Sequence, residues 1–128
     1  VDFERYRLPA SVRVGVLIEL EGTEGAPFLV RLPSRYNREY TAAQQRAMGV
    51  SMDEDFRPDF TKVDFVRWKE ARLEAFLEHC VLEMPKGMTR ELLATEYRPG
   101  LEALFDQASA LADMEDEEAI EVTKKLKA

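Results

Sequence analysis

The sequence predicts an α+β fold: a short N-terminal β-hairpin packed on a bundle of about four to five helices, with one long central helix. Three observations predict it. Apolar residues alternate with period two across residues 11–33, the spacing of strands with one buried face. From residue 34 onward they return every three or four positions, as on a helix face. Glycine and proline punctuate the chain between these stretches.

In SVRVGVLIEL, Val12, Val14, Val16, Ile18 and Leu20 form one apolar row, predicting a half-buried strand. EGTEGA adds two glycines and no large apolar residue, which reads as a turn. PFLVRLP then sets Phe28, Val30 and Leu32 in a second row, completing a hairpin over 11–33 whose loop exceeds two residues. Two strands alone are marginal in water, so helices must cover their apolar face.

Pro33 ends the second strand, and Ser34 or Asn37 is placed to cap a helix over 34–49. Tyr36, Tyr40, Ala43, Ala47 and Met48 recur there at helical spacing before Gly49. Residues 50–60 are acidic and contain Pro58. They read as a loop lying against the body, since a plain linker has no need of Phe56 and Phe60.

A long helix is predicted over 61–84, started by Thr61 and Asp64 and stopped by Pro85 and Gly87. At about 100° per residue, Val66, Leu73, Leu77, Cys80 and Met84 share a stripe flanked by Phe76 and Val81. Trp68, Ala71, Ala75 and Leu82 fall on the opposite side. A helix apolar on two faces belongs between two layers.

Residues 89–113 read as a helical pair. Thr89 caps the first helix, and Pro99 opens the second, which carries Leu101, Leu104, Phe105, Ala108, Leu111 and Ala112 on one face. Residues 114–128 run from acids to lysines, an order that suits a helix dipole. With only Ile120, Val122 and Leu126 as anchors, this C-terminal helix is expected to fray unless a partner binds it. The 128 residues read as a single domain.

Charge narrows the function classes. The net value is −7, and residues 51–128 hold nineteen acids against eleven basic residues. That excess disfavours a nucleic-acid partner, whose phosphates require clustered Lys and Arg. Arg31, Arg35 and Arg38 lie close together, and a solvated face is the favoured reading over an anion site. No apolar run is long enough for a membrane span, and the first residues lack a secretion signal's apolar region, so a cytoplasmic protein is expected.

The stretch LEHCVLEMP holds the only histidine and the only cysteine, His79 and Cys80, beside Glu78. Helical neighbours point about 100° apart, so these three cannot act as nucleophile, base and orienting acid. His79 also lacks a ligand-rich face, because Ala75, Phe76, Leu82 and Glu83 occupy its i±3 and i±4 positions. Cys80 reads as core. No GxSxG, HExxH, CxxC or phosphate-cradling loop is present. The sequence is therefore read as non-enzymatic, with no catalytic, metal-binding or cofactor-binding residue assigned.

A short hairpin whose second strand runs as PFLVRLPSRYNREYTAAQQRA into a helix resembles the tail assembly chaperones of long-tailed bacteriophages. The second half, EAFLEHCVLEMP followed by RPGLEALFDQASALADMEDEE, is similar to the helical part of those small acidic proteins. The resemblance covers most of the chain and lies in layout, so no functional residue is carried over. It implies a non-catalytic protein in the bacterial host's cytoplasm that coats the helical tape measure protein until the tail tube assembles around it. Other tail proteins and further copies of the chain are implied as additional partners. Family members are often also made in a longer, frameshifted form, and Lys124-Lys125 is compatible with a slippery site.

A chaperone hides its client's apolar stripe in a groove between helices. Phe56, Phe60, Trp68 and Leu82 are the candidate partner-binding residues; the alternative is that the C-terminal helices cover all four. Two other functions stay open. One is a structural phage connector or tail-completion subunit that oligomerises through the hairpin edge. The other is a small enzyme with at least two acids converging in a pocket.

Overall fold

A computed structural model describes residues 3–48 and 65–127, with residues 5, 47, 48 and 116–127 as helix backbone only. The predicted loop at 50–60, with Phe56 and Phe60, lies outside the described residues. The described elements are α1 (Ala10–Arg13), β1 (Val16–Ile18), β2 (Phe28–Val30), α2 (Arg38–Met48), α3 (Phe65–His79), β3 (Val81–Glu83), α4 (Arg90–Ala94) and α5 (Arg98–Lys127), preceded by a 3-10 turn at Glu4–Tyr6. The fold is α+β, as expected.

The sheet has three antiparallel strands in the order β1-β2-β3. Val16 pairs with Val30 and Ile18 with Phe28, so the predicted hairpin forms, but shorter than expected. Its first half is helical: residues 10–13 make one turn that buries Ser11 and Val12 and leaves Val14 exposed. Gly15 makes the change of direction possible. Its φ is +109°, and a Cβ there would sit 3.0 Å from the Val30 carbonyl oxygen, so strand and turn meet at a point only glycine fits. Between the strands, Thr23 N–H bonds Leu20 O and Ala26 N–H bonds Thr23 O, two successive turns across EGTEGA.

The third strand is a correction. The long helix expected to run to residue 84 ends at His79, and Val81–Glu83 pairs with β2 across an irregularity at Leu29/Val30. Arg31 N–H donates to Cys80 O, which extends this ladder. Arg90 holds the junction from the far side, donating to the Leu77 carbonyl at the helix end and to the Val81 carbonyl. The Leu77 carbonyl in the last turn of α3 is thus satisfied without continuing the helix.

Asn37 is the cap of α2. Its Oδ1 accepts Tyr40 N–H at 3.3 Å and its Nδ2 donates to Leu32 O at 3.2 Å, with the side chain fully buried. Thr89 caps α4 by accepting Leu92 N–H at 3.1 Å, as expected.

α3 packs against both α2 and α5 and fills the middle of the core. Ala71, Leu73, Ala75 and Phe76 are all buried, so it is indeed apolar on two sides. Val66, placed by spacing in the same stripe, is 75% exposed. α5 is the longest helix, not α3, and joins the second half of the predicted pair to the C-terminal segment without a break. Leu101, Leu104, Phe105, Ala108 and Ala112 bury its inner stripe, whereas Leu111, predicted on the same face, is 38% exposed. Ser11 Oγ donates to Glu115 Oε2 at 2.7 Å, tying α5 to the first helical turn. No described helix is long and apolar enough to cross a membrane.

Candidate functional site

The reactive letters of LEHC are separated by the fold. Cys80 is fully buried in the core cluster with Phe76 and Val81. Its Sγ accepts a hydrogen bond from Asn37 Nδ2 at 3.5 Å. His79 Nε2 lies 3.7 Å from Glu78 Oε2 instead. Burial pushes the Cys80 thiol up to about 12, against the smaller opposing pull of the Arg31 charge and the Asn37 hydrogen bond.

Two results are expected from that shift. The folded protein at pH 8 resists alkylation by iodoacetamide, and labelling appears only as it unfolds; fast stoichiometric labelling of the native state would contradict this. The unfolded thiol ionises first, near its ordinary value of 9.0, so the stability from the buried neutral thiol is complete below about pH 9. It is lost as pH rises toward 12.

Arg31, Arg35 and Arg38 do not converge on an anion site. Arg31 donates to Val12 O and reaches Glu39 at 3.5 Å, while Arg35 lies over the Tyr36 ring, 4.7 Å from its centroid. The Glu39 carboxyl is held below its ordinary range first by a backbone hydrogen bond at the start of α2 and then by Arg31. Arg38 stands exposed. Among the described residues, no group of three or more His, Cys, Asp or Glu is arranged to hold a metal ion.

Trp68 is the sequence candidate that lines a cavity. A cleft of about 300 Å³ opens between α3 and α5, bounded by Phe65, Trp68, Lys69, Arg72 and Leu73 on one side and Glu102, Phe105 and Asp106 on the other. Helical spacing explains the grouping. Residues 65, 68, 69, 72 and 73 share one flank of α3, and residues 102, 105 and 106 share one flank of α5.

The floor is aromatic and rigidly braced. Phe76 meets Phe105 edge to face, with ring centroids 5.1 Å apart. Arg72 spreads its guanidinium between two rings, 4.6 Å from the Trp68 centroid and 5.0 Å from that of Phe105. Its Nε is buried with no hydrogen-bond acceptor, so the two π faces are what it meets there. Ionisation of the nearby Tyr40 hydroxyl is made harder mainly by burial and eased in part by Arg72. At the mouth, Phe65 packs edge-on to Trp68 at 6.4 Å yet is 70% exposed. Together with Val66, it places large apolar surface in water beside a half-buried tryptophan.

Leu82 lies elsewhere. It belongs to β3, not to the second face of a helix, and is 43% exposed. Along the α3 axis Trp68 and the helix end at His79 are about 17 Å apart, so Leu82 is not part of this cleft. Sequence reasoning missed Phe65, Lys69, Arg72, Glu102 and Asp106 as lining residues. Phe65 lay one position from Val66 in the predicted helix, and its i+3 relation to Trp68 was the available signal.

The cleft also gathers two carboxylates one helical turn apart, Glu102 and Asp106, as the enzyme alternative required. Asp106 is exposed to water and Glu102 only half-buried. Acid–base pairs at work are usually desolvated or set against each other, so this placement weighs toward a charged rim.

No family model, curated protein or solved structure matches the chain.

Proposed function

We propose that the chain is a non-catalytic, helix-binding chaperone of the phage tail assembly type, which holds and solubilises the helical tape measure protein before assembly. The observation that carries this reading is the α3–α5 cleft, with Trp68 and Phe105 in its floor and Phe65 exposed at its mouth. A groove between two helices, apolar at its base and charged along its rims, is the usual receptor for an amphipathic helix. Its volume is at the lower end of the roughly 300–1,000 Å³ typical of small-molecule sites, and it suits a few side chains of a longer ligand. A net charge of −7 keeps copies apart until a client arrives.

A second reading, an oligomerising structural subunit, is favoured by one observation. Leu17 on the edge strand β1 is 68% exposed, and the other edge strand carries exposed Leu82. One experiment separates the two. The chain is co-expressed with a long, helical, aggregation-prone tail protein, and solubility and complex mass are measured by light scattering. The chaperone reading expects a soluble complex only when both are present. A closed ring of the chain alone, with the client left insoluble, favours the structural subunit.

A further inference from the structure

The rims of the cleft carry information about the helix that fits it. On the α5 side, Glu102 and Asp106 line the cleft one helical turn apart, and Asp113 follows on the same flank of the helix, seven residues beyond the lining residues. Among the described residues, no ion pair engages any of the three. The acidic run 115–118 continues along the same helix.

The α3 side answers the two lining acids with two cations, but only one of them stands on the rim. Arg72 is held in the floor between Trp68 and Phe105, which leaves Lys69 as the charge on that rim. Arg98, at the start of α5, is already paired with Glu70. The cleft therefore has an aromatic floor that holds the Arg72 charge, and an acidic α5 edge where Glu102 and Asp106 outnumber the single rim cation Lys69.

We propose that the occupant of this cleft is a basic amphipathic helix: apolar residues at i, i+3, i+4 and i+7 set into the Trp68–Phe105 floor, with Lys or Arg along the flank that faces α5. This rests on the helix-binding reading above and adds to it the chemistry of the partner. An acidic helix would bring like charges against Glu102 and Asp106, with Asp113 further along the same flank, which weakens binding and slows encounter. The basic flank also sets which way round the helix lies, because only one of its sides meets the acidic rim.

Trp68 is the chain's only tryptophan, so its emission reports the cleft directly. The probes are synthetic helices of about 20 residues, long enough to fold in isolation, without Trp or Tyr. They share one leucine stripe and carry Lys, Glu or Gln on their flanks. The Lys-flanked peptide is expected to shift Trp68 emission and to bind about tenfold more tightly than the Glu-flanked one at low salt, the size expected of a few exposed ion pairs. High salt should shrink the difference.

In the variant combining Glu102→Gln, Asp106→Asn and Asp113→Asn, the preference should vanish while the fold, read by circular dichroism, is unchanged. Equal binding of the Lys- and Glu-flanked peptides by the unaltered protein overturns the charge inference and leaves the helix-binding reading standing. If none of the three peptides, the Gln-flanked one included, changes Trp68 emission or binds, the helix-binding reading fails with it.

Discussion

Replacing Phe76 with Ala is expected to bring the protein to the edge of unfolding. Phe76 is fully buried on the central helix, packed edge to face on Phe105, in the cluster that includes Leu73, Cys80, Val81 and Leu104. Truncating a buried phenylalanine costs about 3–5 kcal/mol, the lost transfer energy plus the cavity that rigid neighbours cannot fill. Small domains have net stabilities of only about 5–15 kcal/mol, so most of the margin goes. Urea denaturation should show a large fall in midpoint for Phe76→Ala. Val66→Ala, ten residues earlier and three-quarters exposed, should stay within about 0.5 kcal/mol of the unaltered protein. The reverse ranking would mean that α3 is rotated relative to its place here.

The same pair of residues illustrates what the sequence could reveal. Helical spacing identified α3 as a two-sided core helix and predicted the inner stripe of α5, because both are decided by burial periodicity along one element. Val66 fitted the stripe yet is 75% exposed in the first turn of α3, because spacing along one helix does not say which of its turns a neighbouring element covers. The caps at Asn37 and Thr89 were legible because a capping side chain acts within three residues of itself.

The third strand was not legible in that way. Val81 and Leu82 continue a helical apolar pattern, and what turns them into a strand is remote: the ladder with β2 and the Arg90 guanidinium, thirteen residues from the Leu77 carbonyl it meets. The local signal was Pro85, which disfavours helical backbone at Met84. Ala10–Arg13 was misread for a related reason. Val12 and Val14 keep the alternation of a strand, but Gly15 with positive φ interrupts it, and only the position of Val30 shows why a glycine is required. The cleft was half legible: Trp68 stood out by its type and face, whereas Arg72, Glu102 and Asp106 become neighbours of it only when α3 and α5 dock.

Replacing Trp68 with Ala is expected to cost at least about thirtyfold in affinity for a client helix, the loss typical of a large aromatic anchor at the centre of an interface. Trp68 supplies the broadest apolar surface in the cleft, and its ring is kept in place by Arg72 on one side and Phe65 at its edge. Losing it removes contact area and also releases the guanidinium that it shares with Phe105. The side chain is only half-buried and lies toward the start of α3, so its removal should spare the core around Phe76. Leu82→Ala, on the edge strand and outside the cleft, is the matched control and should change affinity less than about twofold.

The most direct measurement is calorimetric titration of one Lys-flanked amphipathic helix into the unaltered protein, Trp68→Ala and Leu82→Ala, each first checked for native circular dichroism. The helix-binding account predicts tight binding by the first and third and near loss of binding by the second. Binding that survives in Trp68→Ala and is lost in Leu82→Ala would place the partner on the sheet and contradict it.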